Sequence, residues 1–199
     1  MRLYDMTLSG NCYKVRLLLG MFDLEYESVP INTLKGEQKA DWYRRLSPRG
    51  QIPALEDGEA TVWDSSAILA YLARRYGGDE WFPGDPVEAA HVLQWVALAG
   101  NEIQYGLAKA RAINLFKRAG DLAESQALGR LALDVVENRT RTHRWLAGDR
   151  PTIGDIACYP YIKHAPEGEI SLEPYPAVRR WLEEVESLPG YVAMDGGKA

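Results

Sequence analysis

The chain has 199 residues, a formal net charge of −5, a pI near 5.3 and 46% hydrophobic residues. This length allows one large domain or two small ones, and the hydrophobic content is ample for a sizeable core. The acidic balance offers no general attraction for nucleic acid or for an anionic membrane, so we expect neither as a partner. The basic cluster Arg139, Arg141, His143 and Arg144 is too short to change that expectation.

The cysteine pattern and the hydropathy of the sequence indicate where in the cell the protein is found. Cys12 and Cys158 lie far apart without CxxC or metal-type spacing, so they predict neither a disulfide framework nor a zinc site. A reducing, cytoplasmic location fits them best. No stretch approaches the roughly twenty apolar residues that a membrane span requires, and the first residues lack the apolar region of a secretory leader. We therefore expect a soluble, unprocessed protein.

The chain begins with the pattern strand, helix, strand. Residues 3–6 predict a short buried strand, and a turn-rich segment then leads into an apolar helix over residues 13–22. Alternating residues over 26–31 predict a second strand. Two strands joined by a helix in this way pair in parallel with a right-handed connection. Residues 36–46 are polar and predict an irregular helix.

A hairpin follows this first unit. Residues 52–56 and 60–63 predict two antiparallel strands, and Asp57-Gly58 between them is a strong signal for a tight turn with positive φ. Pro53 stands at the start of the first of these strands, where it removes a ladder donor and leaves neighbouring backbone groups free to pair with a ligand. Bonds that precede proline are also the only ones that adopt cis at low cost.

A capped helix completes the amino-terminal half. The side-chain oxygens of Asp64, Ser65 and Ser66 can accept hydrogen bonds from the free N–H groups at a helix start. Apolar residues then recur at helical spacing as far as Tyr76. The predicted order is β-α-β-α-β-β-α, which is the thioredoxin-like order.

The second half of the chain predicts helices alone. Residues 77–86 are rich in glycine, proline and acids and read as a linker. Helical periodicity continues to about residue 117, and Gly120-Asp121 opens another long helix over residues 122–146, in antiparallel contact with the first. Thr152 and Asp155 form a capping box before a buried helix over residues 156–162, and residues 174–188 supply a further helix.

Several of these motifs resemble one family. Gln51-Ile52-Pro53-Ala54-Leu55, the acidic turn, then Asp64-Ser65 and Ala67-Ile68 through Tyr71-Leu72 resemble the glutathione-binding half of the cytosolic glutathione S-transferases. The run PTIGDIACYPYI resembles the second-domain motif of that family, so the resemblance covers nearly the whole chain. It implies an α/β amino-terminal thioredoxin-like domain over residues 1–77, a linker over 78–86 and an all-α carboxyl-terminal helical domain over 87–199, which is the glutathione transferase fold.

The resemblance also implies how glutathione is held. In this family the proline before the third strand is cis, and the backbone of the preceding residue pairs with the cysteinyl part of glutathione. That assigns the pairing backbone to Ile52 beside Pro53. The acid-serine pair of the family holds the γ-glutamyl end, which assigns that role to Asp64 and Ser65. We therefore expect the bond between Ile52 and Pro53 to be cis.

The loop before the first helix is the candidate reaction centre. A helix N-terminus presents unpaired N–H groups and about half a positive charge, and with a hydroxyl donor it could hold a bound thiol ionised. Ser9 lies three residues before Cys12 and five before Lys14, as in the serine-type members, although a serine there is also a typical helix cap. Asn11 could donate to the same sulfur, and Cys12 could instead form a mixed disulfide. Gly10-Asn11 replaces the proline that often precedes the cysteine, which leaves the division of roles between Ser9 and Asn11 open.

Polar residues elsewhere complete the implied sites. Gln38 and Lys39 stand where the family faces the glycyl carboxylate, and Gln51 precedes the proline dipeptide, although polar residues populate surface helices and turns by default. The electrophile is expected between the domains, against a long helix that is aromatic and basic in places. Its candidate contacts are Asn101, Gln104, Tyr105, Ala108 and Arg111.

The resemblance implies an enzyme, a glutathione S-transferase, that activates the thiolate of its co-substrate for conjugation to, or glutathione-dependent transformation of, a small electrophile. It also implies a homodimer in which the first domain of one subunit faces the helices of the other. Two alternatives stay open: a glutathione-dependent thiol-disulfide reductase working through Cys12, and a non-catalytic member that binds ligands or a partner protein. Three scattered histidines predict no metal site, and phosphate loops and dinucleotide motifs are absent from the sequence.

Overall fold

A computed structural model describes residues 1–194, which form two compact units. The amino-terminal unit contains residues 1–78 together with residues 189–194, and the helical unit contains residues 79–188. Within the described residues, no helix is both long enough and apolar enough to cross a membrane.

The amino-terminal unit has the predicted thioredoxin-like order. Its sheet has four strands in the spatial order β2-β1-β3-β4, in which β1 and β2 are parallel and the other neighbours are antiparallel. The elements are β1 Arg2–Asp5, α1 Gly10–Met21, β2 Glu27–Pro30, α2 Asp41–Arg44, β3 Ala54–Asp57, β4 Ala60–Trp63 and α3 Ser65–Leu72. A parallel pair joined through α1 and an antiparallel hairpin were both predicted from hydrophobic periodicity, and both are confirmed.

The hairpin turn lies one residue later than predicted. Asp57 pairs with Ala60 across the hairpin, so the two connecting residues are Gly58 and Glu59, and Gly58 supplies the positive φ of 61°. Asp57 is kept in the strand because its carboxylate accepts hydrogen bonds from the hydroxyl groups of Tyr71 and Tyr76. These bonds favour the charged form and hold the pKa of Asp57 below its usual value.

Two further elements of the amino-terminal unit differ from the prediction. The expected helix over residues 36–46 is a short 3₁₀ turn, Glu37–Lys39, followed by the four residues of α2. The two are separate because Ala40 is extended, with ψ at 149°. The helix predicted as far as Tyr76 is α over Ser65–Leu72, and it continues as a π-helical turn over Ala73–Gly77.

The carboxyl-terminal segment returns to the amino-terminal unit. Tyr13 of α1 donates its hydroxyl hydrogen to the carbonyl of Val192 (2.8 Å), and Arg16 donates to the carbonyl of Met194 (2.9 Å). Gly190 lies so close to Gly20 that a Cβ added at Gly190 would be 2.3 Å from the Gly20 carbonyl oxygen. Residues 189–194, which the sequence assigned to the second domain, therefore pack on α1.

The helical unit contains no strand among the residues described. Helix α4, Gly78–Trp81, begins at the last residue of the preceding unit, and the helices that follow are α5 Pro86–Gly100, α6 Lys109–Phe116, α7 Leu122–Thr140, α8 Ile153–Lys163 and α9 Pro176–Glu186. The single helix predicted as far as residue 117 is interrupted at Asn101 (φ −111°, ψ −96°), and a π-helical turn over Ile103–Ala108 then leads into α6.

Helix α7 ends at Thr140 and not near residue 146. The residues that follow are buried in the core, but their backbone is not helical. Trp145, Leu146 and Ala147 are buried outside any helix. The N–H of Leu146 donates to Oδ1 of Asp155 (3.0 Å), a bond that a continuing helix could not make. The local hydrophobic pattern could not distinguish these two kinds of burial.

The capping box at the start of α8 is confirmed. Oδ2 of Asp155 accepts from the N–H of Thr152 (3.0 Å), and the Thr152 hydroxyl accepts from the N–H of Gly154 (3.2 Å). Oδ1 of Asp155 accepts in addition from the indole N–H of Trp181 (2.9 Å), which joins α9 to this carboxylate. Burial raises the pKa of Asp155 even though these donors favour its charged form.

The π-helical turn packs directly on α7 through two glycines. A Cβ added at Gly106 would be 2.4 Å from the backbone nitrogen of Gly129, and one added at Gly129 would be 2.6 Å from Cδ2 of Leu107. The backbones therefore approach more closely than any side chain would allow. This contact places the segment that carries Gln104 and Tyr105 against the longest helix of the unit.

We expect Gly106→Ala to destabilise the protein by about 1–3 kcal/mol, because overpacking at a backbone contact exceeds the gain in helix propensity. Gly100→Ala is the matched control, since Gly100 is also helical and its added Cβ would meet no atom within 4 Å apart from its chain neighbours and the backbone of its own helix. It should leave stability unchanged or raise it by up to about 1 kcal/mol. Urea unfolding with a common slope measures both; equal midpoints for the two variants would show that the contact is not tight.

Candidate active site

The loop between β1 and α1 places Ser9 as the N-cap of α1. Its hydroxyl oxygen accepts from the N–H of Cys12 (3.3 Å), and its backbone is extended (φ −79°, ψ 118°). Accepting this bond uses an oxygen lone pair, so the hydroxyl hydrogen can still be donated to a ligand. The capping role and the donor role predicted for Ser9 are therefore compatible. Gly10, the first residue of the helix, is buried beside it.

Cys12 is fully buried and is not in a disulfide. Burial, and to a smaller extent the nearby carboxylate of Asp5, raise the pKa of its thiol to about 12, because the hydrogen bond with Ser9 opposes these effects only in part. A thiolate at this position is strongly disfavoured at neutral pH. The geometry therefore weighs against the thiol chemistry considered for Cys12 and fits a cysteine packed under the helix.

The start of α1 contacts the start of α3. The hydroxyl of Ser65 donates to Oδ1 of Asn11 (3.4 Å). Ser65 is buried and Asn11 is partly exposed. A predicted thiol-binding residue and a predicted γ-glutamyl-binding residue, 54 positions apart in the sequence, are thus neighbours.

The peptide bond between Ile52 and Pro53 is cis, as predicted. The loop that precedes it is anchored at Gln51, whose carbonyl accepts from the hydroxyl groups of Ser47 (2.8 Å) and Tyr43 (3.0 Å). In the part of the chain that the structure describes, no residue bonds to the N–H or carbonyl of Ile52. Because the loop is fixed and this peptide group is unpaired, the backbone of Ile52 can pair with an extended ligand.

Asp64 caps α3 and has an unusual backbone conformation. Its φ is +75°, which is uncommon for a residue other than glycine, and Oδ1 accepts from the N–H of Ser66 (2.9 Å). Strained positions of this kind cluster at ligand sites. The second carboxylate oxygen, Oδ2, lies 3.1 Å from Nη1 of Arg49.

One small cleft gathers most of the predicted glutathione contacts. The predicted residues that line it are Asn11, Gln51, Ile52, Pro53, Asp64 and Ser65. Ser47, Arg49 and Trp63 line it as well and were not predicted from the sequence. A serine and an arginine two to four positions before Gln51 could have been noticed as part of the same loop, but nothing local shows which way they face.

Gln38 and Lys39 lie beside this loop and do not line the cleft. The ammonium of Lys39 donates to the carbonyls of Gly50 (2.8 Å) and Arg49 (3.4 Å), so it anchors the loop backbone. Nε2 of Gln38 is 3.5 Å from the carbonyl of Thr33, while its Oε1 is buried and accepts no hydrogen bond from residues 1–194. Their predicted contact with the glycyl carboxylate stays a prediction.

The acceptor candidates are spread over the helical unit. Asn101 is exposed and donates its amide hydrogen to the carbonyl of Ala97 (2.9 Å), and Tyr105 is 58% exposed on the π-helical turn with Gln104. Ala108 is buried. Arg111 is also buried, and its Nε bonds to Oε2 of Glu167 (2.6 Å).

The ion pair of Arg111 gives that side chain a structural partner. Burial opposes ionisation of Glu167, but the hydrogen bonds from His164 and Arg111 outweigh burial and hold the pKa of Glu167 below its usual value. An arginine held in this way weighs against the predicted contact with an anionic end of the acceptor. For residues 1–194, no group of three or more histidine, cysteine, aspartate or glutamate side chains is arranged to hold a metal ion.

Fold and cleft together define a thioredoxin-like protein with a second, helical unit and a small cleft beside a cis-proline. Residues 3–80 match the family profile described as "Glutathione S-transferase, N-terminal domain", and residues 89–189 match "Glutathione S-transferase, C-terminal domain". The chain belongs to the glutathione S-transferase family.

Individual relatives agree with this assignment. A maleylacetoacetate isomerase from Pseudomonas aeruginosa is 31% identical over 96% of this chain and 93% of its own length. The disulfide-bond oxidoreductase YfcG from Escherichia coli is 30% identical over 90% of this chain and 87% of its own. A crystal structure of a glutathione S-transferase from Pseudomonas fluorescens superposes with a TM-score of 0.92 at 33% identity, covering 97% of this chain and 98% of that one.

These findings settle the general activity. The chain is a glutathione transferase enzyme that uses glutathione as co-substrate in the transformation of small substrates.

Because both cysteines are buried, we expect no thiol of the native protein to react with an aromatic disulfide reagent within minutes at pH 8. In denaturant both thiols should react at once, since an exposed thiol has a pKa of about 8.5. The measurement is the absorbance of the released thiolate, and Cys12→Ala and Cys158→Ala assign each thiol. Rapid reaction of Cys12 in the native protein would favour the reductase alternative.

Proposed function

We propose that this enzyme binds glutathione in the cleft of the amino-terminal unit and activates its thiol at the N-terminus of α1 for attack on a small electrophile. The observation that carries the proposal is the hydrogen bond between Ser65 and Asn11, because it brings the start of α3 to the start of α1. A tripeptide whose γ-glutamyl end lies at Asp64 and Ser65, and whose middle pairs with Ile52, can then present its sulfur near Ser9.

The chemistry required of the protein is to hold a thiolate. A free thiol has a pKa of about 8.5, so it is largely protonated at neutral pH. A hydroxyl donor from Ser9 and the partial positive charge of the helix end both favour the anion. The thiolate is the nucleophile, so each unit by which its pKa falls gives up to about a tenfold larger reactive fraction at neutral pH.

Asn11 holds a secondary place in this proposal. Its Oδ1 accepts from Ser65, which holds its amide at the start of α1, where this proposal places the sulfur. We assign no chemical role to Cys12, because its thiol is fully buried and burial disfavours the thiolate that disulfide exchange needs. This geometry favours transfer chemistry over the reductase alternative.

A second candidate reaction is isomerisation, which the maleylacetoacetate isomerase relative favours. An isomerase returns glutathione unchanged, whereas conjugation consumes it. Incubation with maleylacetoacetate and with a generic aromatic electrophile, while total glutathione is followed, separates the two. The acceptor contacts predicted in the helical unit and the cytoplasmic location remain proposals.

Removal of the Ser9 hydroxyl should raise the pKa of the bound thiol while leaving glutathione affinity nearly unchanged. A charge-assisted hydrogen bond is worth about 1.5–3 kcal/mol, which corresponds to a shift of about one to two units. The thiolate form then dominates only at higher pH, so the rate at pH 7 falls about tenfold or more and recovers as pH rises. The measurement is the ultraviolet absorbance of bound thiolate against pH, together with conjugation rates, in Ser9→Ala.

Three further variants control this experiment. Ser9→Thr keeps both the helix cap and the donor, so it should retain the low pKa and the rate. Asn11→Ala and Cys12→Ala should shift the pKa less than Ser9→Ala does. If Ser9→Ala leaves pKa and rate unchanged while one of these variants shifts them, the chemistry belongs to that residue.

We also propose that the enzyme is a homodimer, as the family resemblance implies, with the first domain of one subunit facing the helices of the other. Sedimentation velocity at micromolar concentration should give about twice the chain mass of 22.3 kDa. A single monomeric species over that concentration range would contradict the assembly.

A further inference from the structure

Arg49 and Asp64 form a charged pair in the same cleft as Ser65. Nη1 of Arg49 lies 3.1 Å from Oδ2 of Asp64, and the side chains are 52% and 38% exposed. A pair exposed to this extent contributes little to stability, because water screens it and two long side chains must be held in place. Its position suggests a contact with the ligand as the better explanation.

Hydrogen bonds hold Asp64 and the backbone around Arg49 in place. Oδ1 of Asp64 is held by the N–H of Ser66, and the loop around Arg49 is held by Lys39 through the carbonyls of Arg49 and Gly50. Gly50 permits this arrangement, because its φ is +56° and an added Cβ would be 2.7 Å from the carbonyl oxygen of Gln38. The guanidinium of Arg49 therefore reaches the cleft from a loop whose backbone is held in place.

The guanidinium retains donors for a ligand. In the described chain, the side-chain hydrogen bond of Arg49 engages Nη1 alone. An arginine carries five N–H donors in a planar fork that matches a carboxylate. The N-terminus of α3, eight residues long, adds a positive field at the same place.

The γ-glutamyl end of glutathione has the complementary charges. It bears an ammonium and a carboxylate on one carbon atom, so a site that binds it best offers a carboxylate and a cation side by side. Asp64 is the carboxylate, as the sequence predicted. The hydroxyl of Ser65 is neutral, and the helix end has only a partial positive charge. The full positive charge that complements the α-carboxylate is therefore that of Arg49.

We propose that Arg49 is a specificity-determining residue of this enzyme: its guanidinium binds the α-carboxylate of the γ-glutamyl group while Asp64 binds the α-ammonium. The inference rests on the proposed function, since it assumes that glutathione occupies this cleft. In the free enzyme the two side chains neutralise each other, and on binding each acquires a second partner of opposite charge in the ligand. The competing explanation is that Arg49 only screens Asp64, in which case its removal would strengthen ammonium binding.

The test is calorimetric binding of glutathione and two analogues to wild type and Arg49→Gln. Glutaryl-Cys-Gly lacks the α-ammonium, and 4-aminobutyryl-Cys-Gly lacks the α-carboxylate. We expect Arg49→Gln to weaken glutathione and the glutaryl analogue about tenfold each, and to change the aminobutyryl analogue by less than about twofold. The ratio of the affinities for glutathione and the aminobutyryl analogue should thus fall about tenfold, whereas the ratio for glutathione and the glutaryl analogue should not change.

Two variants control for charge and for folding. Arg2→Gln removes another exposed arginine of the same unit, one paired with Glu27 at 2.9 Å, and should leave all three affinities unchanged. Arg49→Lys keeps the charge without the fork and should lie between wild type and Arg49→Gln. Thermal unfolding of each variant without ligand shows whether the fold is retained.

The possible results of the binding experiment have different consequences for the two proposals. The inference is overturned if Arg49→Gln binds glutathione as tightly as wild type or more tightly, because Arg49 then only screens Asp64. It is also overturned if the carboxylate preference persists in Arg49→Gln, because Ser65 and the helix end then suffice. Absence of any glutathione binding by wild type would instead refute the proposed function itself, which is a distinguishable outcome.

Discussion

The amino-terminal unit depends on one buried ion pair. Nη1 of Arg16 bonds to Oδ1 of Asp5 (2.6 Å), and both side chains are less than one-tenth exposed. The same guanidinium donates to the carbonyls of Thr7 (2.7 Å) and Met194 (2.9 Å), so it joins β1, α1, the loop before Ser9 and the carboxyl-terminal segment. A buried charge left without its partner is strongly destabilising. The position of the Ser9 loop is therefore set by a residue that never faces the cleft.

In the helical unit, a single buried carboxylate likewise joins several elements. Asp155 is fully buried, and its two oxygens accept from the backbone and hydroxyl of Thr152, the N–H of Leu146 and the indole of Trp181. These donors come from the turn before α8, the segment after α7 and from α9. A polar group that must be satisfied in the core thus fixes the arrangement of several elements at once. Apolar contacts alone would leave the register of these elements less defined.

The parts that could be predicted from the sequence are those whose cause is local. Caps at Ser9 and Asp64, the hairpin with Gly58, and the proline dipeptide each depend on residues within a few positions of one another. The break at Asn101 is a change of backbone angles, and the cleft position of Arg49 is set by polar contacts, so hydrophobic periodicity contained no signal for them. The roles predicted for Ser9 and the acceptor residues depend on a bound ligand, which periodicity cannot describe either.

The return of residues 189–194 to α1 has a consequence for biosynthesis. A ribosome delivers β1 through α3 first, then the whole helical unit, and only afterwards the carbonyls of Val192 and Met194 that Tyr13 and Arg16 bond. Until then, the guanidinium of Arg16, which holds the loop before Ser9, lacks one of its acceptors. The nascent amino-terminal unit can form its sheet early, but it reaches its final arrangement only after the helical unit and residues 189–194 have been synthesised.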